Sequence, residues 1–197
     1  FPDTTYGCES GGDPKNIPDL TYENFLNFHR TYYHPSNSYI YLYGNMDMTE
    51  KLDFIDKKYL SAFDSLHVDS EIQEQKPFDK MHDLVMEYPV AESESEANNS
   101  YLAYSVVTGN AMNSLECTAF DVLDYALLGA PGAPLKKALL DAEIGSDVYG
   151  SYEDGIRQTY FDVIAKGADP SRKEEFVSII RRVLTEIVQN GIDPKAL

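Results

Sequence analysis

Residues 127–155 read LLGAPGAPLKKALLDAEIGSDVYGSYEDG, and this stretch decides the fold because it joins two helical patterns through a short turn. Apolar residues recur at helical spacing on both sides of the turn. Before the turn they are Leu115, Ala119, Val122, Leu123, Ala126 and Leu127, and after it they are Leu135, Leu139 and Leu140. The chain must therefore turn sharply between Gly129 and Pro134.

The turn has a defined shape rather than simple flexibility. Gly129 and Gly132 permit backbone angles that are closed to other residues, whereas Pro131 and Pro134 fix φ and remove N–H donors. Pro134 is suited to the first turn of the next helix. One use for such glycines is the close approach of a peptide or partner backbone. The alternative is that Gly129 only caps the preceding helix.

Composition limits the classes of function. The chain has 197 residues, 43% of them hydrophobic, which is enough for one large or two small domains with a real core. Its formal charge of -17 argues against nucleic acid and against an anionic membrane surface. An acidic chain attracts basic peptides, although acidity also serves solubility alone. Two cysteines are too few for a disulfide scaffold, which fits a reducing compartment.

The first part of the chain predicts two helices and a strand. Thr21 is the expected N-cap of a helix that ends near His34-Pro35. Residues 38–44 alternate tyrosine with isoleucine and leucine, which predicts a strand with two usable faces. Asp47 and Glu50 form a capping-box pattern for a helix running to about Leu60.

Residues 65–80 predict a linker, because they are polar, contain Pro77 and show no sustained periodicity. Beyond them the patterns predict strands at 83–91 and 101–109, the two helices around the Gly/Pro turn, a hairpin and a long helix. The hairpin turns at Asp154-Gly155, and the long helix ends at Gly191. The predicted buried face of the long helix comprises Phe176, Ile179, Ile180, Val183, Leu184, Ile187 and Val188. The predicted fold class is α+β, a mostly antiparallel sheet with helices packed on one face.

Catalytic motifs are missing from the sequence. The four histidines, His29, His34, His67 and His82, do not form a zinc motif on one helix, and each is expected to have a structural role. The sequence also lacks a serine nucleophile elbow, a phosphate-binding lysine loop and a dinucleotide fingerprint. The alternating Glu92, Glu94 and Glu96 are expected to form a solvated loop.

Several segments together resemble one family, the pitrilysin/insulinase-type zinc metallopeptidases, and within it the presequence protease-like branch. The segments FPDTTYGCESGGDP (1–14), LTYE (20–23), FHRTYYHPSN (28–37) and YGNMD (43–47) resemble the end of the family's catalytic domain. The segments LLGAPGAPLKKALL (127–140) and GSDV (145–148) resemble its second, inactive repeat. The resemblance covers nearly the whole chain in order.

The resemblance implies that residues 1–64 are the C-terminal part of the catalytic domain, 65–80 a linker, and 81–197 most of the inactive domain. The whole enzyme would enclose unstructured peptides in a clamshell chamber and hold zinc through an inverted motif outside these residues. In the second repeat the helix at 114–128 corresponds by order to the zinc-bearing helix but has no histidine. The fragment is therefore expected to bind no zinc and to be inactive alone, with the missing remainder of the same polypeptide as its partner.

Within that chamber, the residues expected to contact peptide are Gly129 and Gly132 and, in a second turn, Ser10, Gly11 and Gly12. The expected compartment is a bacterial cytoplasm, or an organelle matrix in a eukaryote. The chain's first and last residues are those expected of an excised piece. Its helix at 22–33 and strand at 38–44 would expose apolar surface, which predicts dimerisation or a tendency to aggregate. The alternatives are a degenerate scaffold or binding subunit of the same fold, and an unrelated acidic α+β domain with a small-ligand pocket at the Gly/Pro turn.

Overall fold

A computed structural model describes residues 1–192 of the chain. The chain divides at Lys76 into two compact units, Phe1–Lys76 (unit 1) and Pro77–Leu197 (unit 2). The division falls inside the 65–80 stretch, although the domain assignment at 1–64 and 81–197 remains a prediction. None of the helices in the described residues is both long and apolar enough to span a bilayer.

Unit 1 contains the two predicted helices with the predicted caps. Helix α1 spans Tyr22–Tyr32, and the Thr21 hydroxyl accepts a hydrogen bond from Asn24 N at 3.1 Å. Helix α2 spans Met48–Lys58, and its N-cap carboxylate on Asp47 accepts from Glu50 N at 3.1 Å. Each cap satisfies a backbone donor that the first helical turn leaves free.

The strand predicted at residues 38–44 is wrong for this structure, which has no strand there. The strand predicted at residues 83–91 is also wrong. Both segments have the alternating or apolar composition of strands, and both are highly exposed; Tyr39 is 104% and Val85 is 89% exposed. A strand forms only where a neighbouring strand completes its hydrogen bonds, and the described residues supply neither segment with such a neighbour.

Unit 2 is built on a three-stranded antiparallel sheet with strand order β1-β3-β2. Strand β1 spans Ser100–Asn110, β2 spans Asp147–Glu153 and β3 spans Gln158–Ala168. The predicted hairpin is confirmed, because β2 and β3 are joined directly by residues 154–157. In the shared register Leu102 and Val148 both pair with Ala165, so the three strands bury one common face.

Helices cover that face and form the core with it. They are α3 (Ser114–Asp124), α4 (Pro134–Asp141) and α5 (Lys173–Asn190). The largest fully buried side chains are Phe176, Leu135, Leu139, Ile144, Ile180, Val148 and Thr159. The predicted α+β class with helices on one face is confirmed.

At the end of α5, the predicted stop at Gly191 is confirmed. The predicted buried face extends further along the helix than the buried face in the structure. Gly191 follows the helix with φ +79°, a conformation that favours glycine. Val188, predicted to be buried, is 86% exposed, because the buried positions of α5 end at Val183 and only the part-buried Ile187 extends the contact.

Arg172 ties the start of α5 to the end of α4. Its guanidinium donates to the carbonyl oxygens of Ala142 and Glu143, each at 2.8 Å, and also to the Glu175 carboxylate. The two carbonyls lie where α4 ends and would otherwise need another donor. This contact fixes the position of α4, the helix that follows the Gly/Pro turn.

Candidate functional site

Helix α3 continues into a π-turn before the Gly/Pro turn begins. The π-turn spans Tyr125–Gly129, and Ala130 N donates to Tyr125 O at 2.7 Å across it. Single π-turns occur often at functional sites. Leu127 and Leu128 within it are buried, so the wide turn is anchored in the core and fixes where the next residues emerge.

The next four residues, Ala130 to Ala133, form a tight turn. Ala133 N donates to Ala130 O at 3.0 Å, Pro131 occupies the second position and Gly132 the third with φ +76°. Proline followed by a glycine with positive φ is the signature of a type II turn. Ala130 and Ala133 are buried at 4% and 1% exposure, whereas Pro131 and Gly132 are exposed. The result is a rigid exposed tip on a buried base.

Gly129 has a different role from Gly132. Its φ is not positive, so it is not a left-handed helix cap. A Cβ at this position would lie 3.1 Å from Tyr125 Cδ2, so glycine lets the tyrosine ring lie close to the backbone. The sequence reasoning missed Tyr125, which is 54% exposed beside the turn. The turn thus presents an uncharged backbone next to an aromatic ring.

Ser10, Gly11 and Gly12 form a turn in unit 1. Gly12 N donates to Glu9 O at 3.1 Å, and Gly12 has φ +85°. Ser10 and Gly11 are exposed, and a Cβ at position 11 would meet no atom of the described residues within 4 Å. A peptide-contacting role for these residues remains a prediction, whereas the tight-turn geometry is a sufficient reason for Gly12.

The acidic residues of α3 do not suit zinc. The helix carries Glu116, Asp121 and Asp124, and within residues 1–192 no group of three potential ligands comes together. Glu116 is engaged locally, since its carboxylate accepts from Asn113 Nδ2 at 2.9 Å. Zinc in proteins favours imidazole and thiolate ligands, and this helix has no histidine. Its one cysteine, Cys117, is buried with its Sγ 3.8 Å from Ala111 O, so α3 does not offer the ligand set of a catalytic zinc helix.

His29 and His34 make structural contacts within unit 1. The His29 ring stacks on Tyr33 with centroids 4.8 Å apart. His34 Nδ1 accepts a hydrogen bond from Ser36 N at 3.2 Å and caps a short 3₁₀ turn. These contacts agree with the structural roles expected for lone histidines.

Asp124 lies at the end of α3, where the π-turn begins. Its Oδ1 is buried, and among the described residues it has no hydrogen-bond partner. A methyl group at position 150 would overlap this oxygen, so only glycine lets β2 pass the carboxyl group. Burial raises the pKa of Asp124, and the charge of Asp121 raises it further. Gly150 lies inside a predicted strand, and this was the one sequence signal that the β2 backbone passes close to another group, here the Asp124 carboxyl group.

Replacing Asp124 with asparagine is expected to stabilise the protein at pH 7 by a few tenths to about 1 kcal/mol. Because the folded-state pKa is raised, this group stabilises the fold most below about pH 3.9, and the stability is lost as pH rises through the folded pKa. Urea unfolding at pH 7 and near pH 3.5 measures the difference, which should vanish at the lower pH.

Asp154→Asn, in the exposed hairpin loop, is the matched control for that experiment. It removes the same formal charge from an exposed carboxylate instead of a buried one. Its free energy of unfolding should therefore change little at either pH. A neutral-pH gain no larger for Asp124→Asn than for Asp154→Asn would contradict the conclusion that burial of the Asp124 carboxylate costs stability.

Comparison with known proteins gives one consistent family. Residues 19–197 match the model described as the Peptidase M16 inactive domain. The chain is 46% identical over its full length to Protein HypA of Clostridium perfringens, covering 20% of that protein. It is 34% identical over its full length to Presequence protease 1, chloroplastic/mitochondrial, of Arabidopsis thaliana, covering 18%. It is 30% identical over its full length to the mitochondrial presequence protease of Xenopus laevis, covering 20%.

These coverages mean that the chain spans about a fifth of the length of the curated relatives it matches. A crystal structure of an M16-like peptidase from Alicyclobacillus acidocaldarius shares the fold. The two superpose with a TM-score of 0.59 at 21% identity, over 96% of this chain and 44% of the other.

Proposed function

The chain belongs to the M16 metallopeptidase family, and from this we propose that it is a non-catalytic part of a presequence protease-like zinc metalloendopeptidase. The model that it matches is described as inactive, and relatives that span the whole chain are named presequence proteases. The donor set of α3 supports the non-catalytic role. In this proposal zinc is held by the rest of a longer polypeptide.

Within that enzyme, residues 1–64 would complete the catalytic domain and residues 81–197 would form most of the inactive domain. The proposed role of the chain is to form part of the wall of a chamber that encloses unfolded peptides. Relatives include a bacterial protein and proteins named as mitochondrial or chloroplastic, so a bacterial cytoplasm and an organelle matrix are the compartments we propose.

The observation that carries a peptide-contacting role is the exposed tip at Pro131 and Gly132. A peptide backbone can approach Gly132 without meeting a side chain of the described part of the chain, where no atom lies within 4 Å of its Cβ position. The buried alanines on either side hold the tip in place. Tyr125 next to Gly129 offers an aromatic surface for a peptide side chain. The formal charge of -17 favours peptides that carry basic residues.

Replacing Gly132 with alanine in the full-length peptidase is expected to raise KM for an unstructured fluorogenic peptide about three- to tenfold. The added methyl group blocks the backbone approach, and loss of one such hydrogen bond corresponds to about 0.5–1.5 kcal/mol. Because the tip lies outside the catalytic machinery, kcat should change little. Steady-state kinetics gives both parameters.

Gly191→Ala is the matched control. Gly191 also has positive φ, at +79°, and no atom of residues 1–192 lies within 4 Å of its Cβ position. Both variants therefore place a methyl group at a positive φ, which costs on the order of 1–3 kcal/mol of backbone strain. Equal KM values for the two variants would overturn the contact role of the tip. Absence of any peptide cleavage by the full-length polypeptide would instead favour the degenerate scaffold subunit.

A further inference from the structure

The sheet of unit 2 has a second face that its helices do not cover. The helices pack on the face that carries Val163 and Ala165, which are 3% and 0% exposed. Alternate residues of β3 lie on the opposite face, which we call the open face. On the open face, Ser105 of β1 and Ser151 of β2 are exposed. Antiparallel sheets commonly pack one face on the core and leave the other to water or to a ligand.

Asp162 lies at the centre of the open face. It belongs to the middle strand, and the register pairs it with Ser105 on one side and Ser151 on the other. Its Oδ1 is buried and has no hydrogen-bond partner among the described residues. Burial raises the pKa of Asp162, and the Ser105 hydroxyl offsets part of that rise. A buried carboxylate oxygen without a donor costs free energy, so the position favours a cationic partner from outside these residues.

The neighbours of Asp162 on the open face are aromatic and acidic. Burial raises the pKa of Tyr160, and the charges of Asp162 and Glu153 raise it further, which places both carboxylates near its hydroxyl. Tyr149 pairs with Ile164, the next residue of β3 on this face, and is 38% exposed. Carboxylates beside tyrosine rings offer a guanidinium or ammonium group both charge-assisted hydrogen bonds and cation–π contacts.

We propose that Asp162 and the tyrosines beside it on the open face form a subsite for an arginine or lysine side chain of the peptide substrate. That the ligand is a peptide rests on the proposed function. Total charge attracts any basic peptide, whereas this subsite would select the position of one basic side chain along it.

Charge complementarity selects this occupant. An apolar side chain would leave the Asp162 carboxylate without a partner, and an anion would be repelled by Asp162 and Glu153. A bound metal ion would need more ligands, and within residues 1–192 no three potential ligands come together. Arginine combines a long apolar stem, which can lie along the tyrosine rings, with a fork of donors for the carboxylate.

Peptide binding by the full-length polypeptide tests the subsite. Fluorescence anisotropy compares two labelled unstructured peptides, one with a central arginine and one with glutamine at that position, with a chelator present so that a zinc peptidase would not cleave them. The wild type should bind the arginine peptide about tenfold more tightly, and Asp162→Asn should reduce that preference to about twofold or less. Affinity for the glutamine peptide should stay within about twofold of wild type.

Asp141→Asn is the matched control. Asp141 is exposed at the end of α4, in the helical layer on the other face of the sheet. Its replacement removes the same formal charge and should leave the preference for arginine unchanged. An equal loss of preference in both variants would mean that total charge attracts the peptide, and would overturn the subsite.

Ser151→Lys tests the same site with Asp162 in place. Paired side chains on neighbouring strands have Cβ atoms about 5 Å apart, so the new ammonium group can reach the Asp162 carboxylate. It should lower the arginine preference about as far as Asp162→Asn does, which keeps the test valid if the latter variant fails to fold.

Three results would overturn the proposal. The first is a wild-type protein that binds neither peptide or has no preference for arginine, because the partner of Asp162 would then lie elsewhere in the polypeptide. The second is an unchanged preference in Asp162→Asn and Ser151→Lys. The third is an equal loss of affinity for both peptides, which would indicate a structural role. Binding requires no turnover, so a preference without cleavage in chelator-free samples would contradict the proposed function and leave the subsite standing.

Discussion

Alanine at position 176 is expected to destabilise unit 2 by about 3–5 kcal/mol, the typical loss for a buried phenylalanine. Phe176 is 1% exposed and belongs to the core cluster formed by α4, α5 and the buried face of the sheet. Truncation removes its transfer free energy and leaves a cavity, because the surrounding strands relax only partly. Urea unfolding of the purified chain, followed by far-UV circular dichroism, measures the change.

Val188→Ala is the control on the same helix. Val188 is 86% exposed, so its truncation should change the free energy of unfolding by no more than about 0.5 kcal/mol. Similar losses for both variants would mean that the core does not lie where α5 meets the sheet. Unit 1, which has no buried apolar side chain, should contribute little to the cooperative transition.

Alanine at position 145 is expected to destabilise unit 2 by about 1–3 kcal/mol through steric overlap. A Cβ there would lie 2.6 Å from the backbone oxygen of Lys166. That oxygen already accepts a hydrogen bond from Ser146 N at 2.8 Å, so the start of β2 would have to move away from β3. Thermal unfolding should show a lower Tm.

Gly155→Ala is the matched comparison in the hairpin loop. A Cβ at position 155 would lie 2.7 Å from Glu153 Oε1, which is the end of a side chain and can rotate away. Neither glycine has positive φ, so the two variants differ mainly in whether the methyl group meets backbone or a movable side chain. A Gly155 variant as destabilised as the Gly145 variant would contradict this explanation.

The features that the sequence predicted correctly are local. Thr21 and Asp47 cap helices because their side chains reach a donor three residues away, and such contacts depend on nothing distant. Asp154-Gly155 predicts a hairpin because the turn preference of these two residues is also local. Pro131-Gly132 predicts a shaped turn from two residues, and the structure adds only its type.

The wrong strand predictions are nonlocal. Residues 38–44 and 83–91 have the composition of strands, but hydrogen-bond partners decide whether a strand forms. A sequence pattern indicates that a segment prefers to be a strand, but it does not show whether a neighbouring strand is present. The exposed side chains at Tyr41 and Met86, 85% and 87%, show that the preference is unmet in these residues.

The sequence predicted the role of the glycines in the candidate site, but it did not predict which residues surround them. The unusual angles of Gly132 follow from its place after a proline. The contact of Asp124 with Gly150 depends on how α3 crosses β2, and the π-turn depends on core packing of Leu127 and Leu128. Tyr125 was assigned no role from the helical pattern because spacing does not show where a helix widens into a π-turn.

The central claim is that this chain is a non-catalytic part of a zinc peptidase. The most direct measurement compares cleavage of an unstructured peptide by the chain alone and by the full-length polypeptide, with and without a chelator, alongside the metal content of each. We predict no cleavage and no stoichiometric zinc for the chain alone, and chelator-sensitive cleavage for the full-length polypeptide. Stoichiometric zinc and chelator-sensitive cleavage by the chain alone would contradict the account.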